Sequence, residues 1–341
     1  MANIQPIISR YPAIDHFHAH YETTLRAEYH LLGCHYTFES NNRRLINLAA
    51  YAFAGVPKHR FPGRIRRFNI RLLLQDSDGN ERQLSKVVPE INMYYWNGVF
   101  CATMDPGTIS MISPQTASAQ IFISKQMMAF PYNVRYELIE YAVTFLAQHS
   151  RNNVSLNGAC IALNGKGIVL IGGNGAGKST TSLACLGDGF EFIAEEGLVV
   201  CTTTLLVTGL SSFIHLRPDC LRFFKATRKK RSKQTSTLIV RRSGVSKFEI
   251  DTRKLGVRLA RSTVKIHALV FLTGRNTCHS SILTPLSRAE SRCQLEKTQS
   301  HVSWFSQSKA VFQRLSRVPA YAVVVGDHPK STVAALRKIL A

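Results

Sequence analysis

The sequence predicts an α/β protein: a sheet with flanking helices built around a phosphate-binding loop, preceded by a smaller α+β N-terminal domain. Three observations lead there. From about residue 151 the pattern runs strand, loop, helix, strand, the alternation of an α/β layer with a largely parallel sheet. Within it, Gly172 to Ser179 reads G-x-x-x-x-G-K-S between an apolar run and a helical pattern. Ahead of it, 131–150 is one amphipathic stretch at which the pattern changes. The chain therefore divides into 1–130, a bridging helix at 131–150, and 151–341, and a length of 341 residues suits two domains.

The elements follow in order. "HYTFES" alternates as a strand does, and "NNRRLINLAAYAFAGV" after it has an asparagine start, helical apolar spacing, and Gly55 and Pro57 to end it. "RRFNIRLLLQ" alternates and runs into the turn "DSDGN". "YYWNGVFCATM", "GTISMIS" and "AQIFIS" read as further short strands. In 131–150, Val134, Leu138, Ile139, Ala142, Val143 and Leu146 form one apolar stripe. Beyond it, "ACIAL", "GIVLIG", "FEFIA", "GLVVCT", "IHALVFLT" and "AYAVVVG" read as strands, and "PKSTVAALRKIL" as a closing helix.

Apolar residues make up 45% of the chain, enough for a sizeable core. The 43 Lys+Arg outnumber the 21 Asp+Glu, a formal charge of +22. That excess favours acidic partners: nucleotides, nucleic acid, an anionic membrane or an acidic protein. Residues 225–242 hold eight basic residues and no acidic one. They read either as a solvated loop or as a lid or dock for phosphates or an acidic acceptor. Aromatic residues are not interleaved with these charges, and no helix-turn-helix, RRM or finger pattern accompanies them, which argues against nucleic acid. Eight scattered cysteines without a Cys-x-x-Cys pair predict reduced thiols in a cytoplasmic protein. No run reaches the roughly 18 apolar residues of a membrane helix, and the N-terminus lacks a secretory pattern. His16, His18 and His20 alternate, as zinc ligands or as a polar face. No Gly-x-Ser-x-Gly elbow supports serine hydrolase chemistry.

The chemistry concentrates at the loop. Gly172, Gly173, Asn174, Gly175, Ala176 and Gly177 let backbone N–H groups turn inward around phosphates, and the helix that follows, with Thr180 in its first turn, adds its dipole. Lys178 is placed to reach the β- and γ-phosphates, and the Ser179 hydroxyl to ligate Mg²⁺. ATP or GTP binding is the expectation. The carboxylates for such a site are Glu195 and Glu196, which begin seventeen residues after Lys178 at the end of "FEFIA". A strand beside the loop's own strand would end near the phosphates. One glutamate, assigned as Glu195, would accept a proton from an attacking hydroxyl, and Glu196 would help Ser179 hold Mg²⁺. The two roles are exchangeable, because glutamate side chains are long enough to cross.

The block "LNGACIALNGKGIVLIGGNGAGKSTTSLACLGDGFEFIAEE" resembles the catalytic domain of the HPr kinase/phosphorylase family and its serine-kinase-like relatives. Weaker similarity continues through "GLSSFIHLRP", "KFEIDTRKL", "IHALVFLTGR" and "VPAYAVVVGD". The resemblance implies a P-loop kinase-like sheet and transfer of phosphate from ATP to a serine or other hydroxyl, with Glu195 as base and Glu196 beside the metal. The acceptor would be a protein, a peptide (an acidic one among the candidates) or a small molecule; a homo-oligomer stays open. Two features depart from the family. Its paired aspartates are glutamates here, and its strand histidine is Asn157, which can bond phosphate but cannot titrate. The family's loop after the catalytic pair is not visible here either; "IVRRSGVSKFEI" holds Arg241, Arg242 and Gly244 in roughly that region, which makes Arg242 the phosphate-clamp candidate that the resemblance implies. The departures leave a catalytically degenerate nucleotide sensor or scaffold as one alternative, and the charge leaves a nucleic-acid-associated NTPase as another. "NGAGKSTT" is also similar to the loop of transporter-type ABC ATPases, but "PLSRAESRCQ" is not their signature and "IHALVFLTGR" lacks their terminal acid pair.

Overall fold

In a computed structural model of the chain, the described residues are 22–75, 87–150, 152–223, 236–275, 279–299 and 308–340. The alternating histidines 16, 18 and 20, the turn at 76–80 and the basic run 225–235 lie outside them. The architecture is mixed α/β, with sheets of seven, nine and three strands and helices packed between them.

The seven-stranded sheet is made by β1 (Leu25–Leu31), β2 (Cys34–Ser40), β3 (Arg67–Leu74), β4 (Asn92–Trp96), β5 (Val99–Thr103), β6 (Ile109–Ser113) and β7 (Ser118–Ile123), in the order β1-β2-β3-β7-β6-β5-β4. Helix α1 (Arg43–Phe53) starts as its asparagine suggests: the Asn42 side chain accepts from the Arg44 N–H at 2.9 Å. "YYWNGVFCATM" is not one strand. Asn97 and Gly98 take left-handed φ values of 50° and 82°, and the chain folds back as the β4–β5 hairpin.

The helical segment 131–148 (α2) buries the whole predicted stripe from Val134 to Leu146 against this sheet. Its middle, Val134–Glu140, is wound as π turns. That wider winding is frequent at functional sites, and here it carries Arg135, Tyr136 and Glu137, which meet Glu249, Glu196 and Arg242 of the later chain, and Glu140, which pairs with Arg135.

The nine-stranded sheet contains β8 (Asn153–Leu156), β9 (Ala159–Leu163), β10 (Lys166–Ile171), β11 (Glu191–Glu195), β12 (Leu198–Cys201), β13 (Leu206–Gly209), β17 (Val264–Arg275), β18 (Ile282–Leu286) and β19 (Ala320–Val325). Helix α3 (Lys178–Gly187) follows β10, and α4 (Arg288–Thr298), α5 (Ser308–Leu315) and α6 (Pro329–Leu340) complete the chain. The expected largely parallel sheet is not found. Only β10·β17 and β17·β19 are parallel; every other pairing is antiparallel. The reason lies in Asn164-Gly165, whose left-handed φ values of 52° and 76° close a β9–β10 hairpin. β9 therefore sits between β10 and β11, so the strand carrying the glutamates is not the neighbour of the loop's strand. Two antiparallel steps restore its direction, so β11 still ends on the same side as β10.

The three-stranded sheet, β14 (Phe213–Leu216), β16 (Ser246–Asp251) and β15 (Ser236–Val240), packs over α3 through Ile214, Leu216 and Ile250 against Leu183 and Leu186. The early and late parts of the chain are bonded to each other. His59 reaches Thr208 Oγ1 and the Ala260 carbonyl at 2.7 Å each, and Arg253 donates to the Tyr51 and Ala54 carbonyls at 2.9 and 2.7 Å. Among the described residues seven cysteines are free thiols, and no helix is long and apolar enough to cross a membrane.

Candidate functional site

The loop after β10 is shaped by its glycines at two positions. A Cβ at Gly172 would lie 2.9 Å from the Ala176 Cβ and 3.0 Å from the Leu272 carbonyl oxygen, so β17 leaves no room for a side chain. Gly177, the residue before α3, has φ 103°, a conformation open mainly to glycine. The chain thus turns tightly out of the sheet and enters α3 with its first N–H groups free of helical partners, an anion-binding end.

Gly173 through Thr180 line one wall of a cleft. Glu195, Glu196 and His215 line another, with Arg217, Lys247 and Arg275 adding positive charge. The Lys178 ammonium rests on the Gly172 and Gly173 carbonyls at 2.7 and 3.2 Å. Burial pushes its pKa down, and Glu195 and Glu196 oppose that shift.

The two glutamates are adjacent yet differently held. The Ser179 hydroxyl donates to Glu195 Oε1, and the His215 backbone N–H donates to Oε2 at 2.9 Å. Burial, with the charge of Glu196 next, pushes Glu195 up to about 8. Glu196 lies in the left-handed region, φ 73°, which a non-glycine residue holds at a cost of order 1–2 kcal/mol. That turn aims its carboxylate at Arg241 Nη2, 3.0 and 3.2 Å away, at the Tyr136 hydroxyl, and at Lys247 Nζ at 3.7 Å. Burial would raise its pKa, but His215, Arg241, the Tyr136 hydrogen bond and Lys247 outweigh it and hold Glu196 down to about 2. Burial and its neighbour thus push Glu195 toward the protonated form, while the surrounding cations favour ionised Glu196.

Behind them runs a buried network. Arg135, from the π turns, is 1% exposed and pairs with both Glu140 and Glu249. Glu249 meets His215 Nε2 at 3.1 Å, and the His215 backbone holds Glu195. The Arg135 guanidinium lies 4.4 Å from the Phe213 ring centroid and 5.4 Å from that of Tyr132, so aromatic faces cover it.

Most of the residues chosen from sequence converge here. Gly173 to Thr180, Glu195 and Glu196 all line the cleft, and Gly172 forms its base. Two residues do not join them. Asn157 is exposed in the β8–β9 connection, where its backbone exchanges hydrogen bonds of 2.7 and 3.0 Å with the Gln299 side chain; it does not line the cleft. Arg242 is held by Glu137 at 2.7 and 3.1 Å and by the Pro89 carbonyl, facing a different cavity. Its neighbour Arg241 is the one on Glu196. Arg241 pairs with Val245 across the turn between β15 and β16, Arg242 lies within that turn, and the choice between the two is set by tertiary pairing. The Ser179 hydroxyl is engaged by Glu195. Tyr136, His215, Lys247, Arg217 and Arg275 were not singled out from sequence.

Comparison with known proteins adds little to this geometry. No family model matches the chain, and no curated protein matches it. Among solved structures, the Hpr(Ser) kinase/phosphatase from Coxiella burnetii is similar at 10% identity, over 55% of this chain and 87% of that chain, with a TM-score of 0.26. This is a distant structural likeness.

Proposed function

We propose that the cleft binds Mg²⁺–ATP and that the protein transfers the terminal phosphoryl group to a hydroxyl acceptor. The observation that carries this reading is the junction of Ser179 with Glu195. It sets a loop suited to cradle phosphates directly against a carboxyl group suited to take a proton. Residues 151–341 would carry the nucleotide in a P-loop sheet, with 1–130 a separate unit joined through 131–150.

The loop N–H groups and the start of α3 would bind the β-phosphate, and Lys178 would leave the Gly172 and Gly173 carbonyls for the β- and γ-phosphates. Arg217, Lys247 and Arg275 offer further charge to a polyphosphate. Among the described residues no group of three or more His, Cys, Asp or Glu could hold a metal by itself. Mg²⁺ does not need one: it takes one or two carboxylates and fills its shell with phosphate oxygens and water. Ser179 and the ionised Glu196 are hard oxygen donors facing the same cleft, and they fit that ion. When bound, it would neutralise charge on the transferring group. Both donors are engaged here, Ser179 by Glu195 and Glu196 by Arg241, so those bonds would exchange on loading.

In the transfer, the acceptor oxygen forms a bond to the γ-phosphorus while the bond from that phosphorus to the bridging oxygen breaks. ADP leaves with the electron pair, and the hydroxyl proton passes to ionised Glu195. A group whose pKa lies near the working pH suits that role. Incubation with γ-labelled ATP and a panel of hydroxyl compounds tests the reading. Label on an acceptor supports it. Binding without transfer supports a nucleotide sensor, and hydrolysis stimulated by nucleic acid supports an NTPase; either result overturns the kinase reading.

A further inference from the structure

The phosphate loop has carboxylates on one flank and a guanidinium on the other. In the order β11-β9-β10-β17, β11 lies to one side of the loop's strand, with Glu195 at its end and Glu196 just past it, and β17 lies to the other side. β17 runs parallel to β10, so both strands end at the loop, and Phe271 is the register partner of Ile171, the last residue of β10. β17 does not stop there. Leu272, Thr273, Gly274 and Arg275 carry it on alongside the loop. The Leu272 carbonyl closes on Gly172, and the Thr273 hydroxyl donates to the Val323 carbonyl at 3.3 Å. Arg275 reaches the last glycine of the loop: its Nη2 stands 3.6 Å from where a Cβ on Gly177 would lie.

Four lysine and arginine side chains line the cleft: Lys178, Arg217, Lys247 and Arg275. Three are already held. Lys178 rests on the Gly172 and Gly173 carbonyls, Arg217 meets Asp219 at 3.3 Å, and Lys247 meets Glu196 at 3.7 Å. The Arg275 guanidinium has no hydrogen-bonded or ion-pair partner among the described residues. It is also exposed, so an anion can reach it without displacing a carboxylate. Its planar fork offers two parallel donors to phosphate oxygens, beside a loop whose N–H groups are aimed at the same kind of ligand.

We infer that Arg275 is a direct ligand of the nucleotide's phosphate chain and grips the phosphates that are not transferred. This rests on the reading of the cleft as the nucleotide site. The reacting end of the chain has to lie toward Glu195, which takes the acceptor's proton. A guanidinium on the opposite flank then meets the phosphates that stay behind in ADP. Arg275 therefore sets how tightly the cleft holds ATP and ADP alike, and it does not tell one from the other.

Calorimetric titration of the full chain with Mg²⁺–ATP and with Mg²⁺–ADP tests this in wild type, Arg275→Gln and Arg217→Gln. Arg275 is exposed, and thermal melting checks that its variant is folded. Arg275→Gln should weaken ATP and ADP by the same factor, about 10- to 100-fold, the scale of a hydrogen bond to a charged group. Arg217→Gln should cost less, because Asp219 already holds that guanidinium. Unchanged affinity in folded Arg275→Gln, a loss confined to ATP, or a loss no larger than that of Arg217→Gln overturns the inference and leaves the cleft reading standing. Wild type that binds neither nucleotide overturns the cleft reading and this inference with it.

Discussion

The Ser179 hydroxyl donates a hydrogen bond to the Glu195 carboxylate, joining the first turn of α3 to the end of β11. The two residues are brought together although β9 separates their strands in the sheet. Their contact makes the glycine loop and the glutamate pair parts of one cleft, and each expectation below follows from it or from the groups around it.

Lys178→Ala should lose most of the nucleotide affinity. The ammonium sits at the mouth of the loop, and its present partners are backbone carbonyls on the half-exposed edge of the cleft. Removing it should therefore leave the fold intact. Calorimetric titration with ATP, paired with thermal melting, checks both halves. A folded variant with undiminished ATP affinity contradicts the assignment of the loop.

The pH dependence of stability should carry the signature of Glu195. Its folded-state pKa is raised from an ordinary 4.5 to about 8 by burial and by Glu196. Between those values the folded protein binds more protons than the unfolded chain, so stability falls as pH rises through the window. Glu195→Gln has no such proton to lose. Thermal melts of metal-free and nucleotide-free protein from pH 5 to about pH 9 should show a flatter profile for the variant than for wild type. Parallel profiles would mean that Glu195 is not the buried titrating group. Glu196 acts with the opposite sign: held at about 2, it contributes stability that is lost as pH falls below 4.5.

Arg135→Met should destabilise the protein by about 3–5 kcal/mol, because it strands two buried carboxylates, Glu140 and Glu249, without their shared cation. Denaturant unfolding reads this directly. A loss below about 1 kcal/mol would place those carboxylates in water rather than in the interior. Since Glu249 holds His215 and the His215 backbone holds Glu195, the same variant should also lower phosphoryl transfer more than it lowers ATP affinity.

The parts of this site that were legible in the sequence are local ones. A strand, a glycine loop and a helix succeed one another between Lys166 and Gly187, and short-range sterics and capping fix all three. The α2 stripe was legible for the same reason, since burial of one helix face repeats every turn. Sheet order was not. Asn164-Gly165 is a hairpin signal, but it is two residues long and sits inside a much longer pattern of strand–helix alternation. Tyr136 shows the limit on the functional side. Its position on α2 follows from the sequence, but its meeting with Glu196 depends on π turns and on the packing of two sheets. Arg241 and Arg242 are chemically alike and adjacent, and only the fold sends the first to Glu196 and the second to Glu137.

The most direct test is single-turnover transfer of the γ-phosphoryl group from labelled ATP to the fastest hydroxyl acceptor, comparing wild type with Glu195→Gln at matched ATP saturation. A positioned general base contributes about 10²–10⁴-fold. Glu195→Gln should slow transfer by that order while ATP affinity is retained, and Glu196→Gln should instead raise the Mg²⁺ concentration required. Transfer by the Glu195→Gln, Glu196→Gln double variant at the wild-type rate would contradict the account.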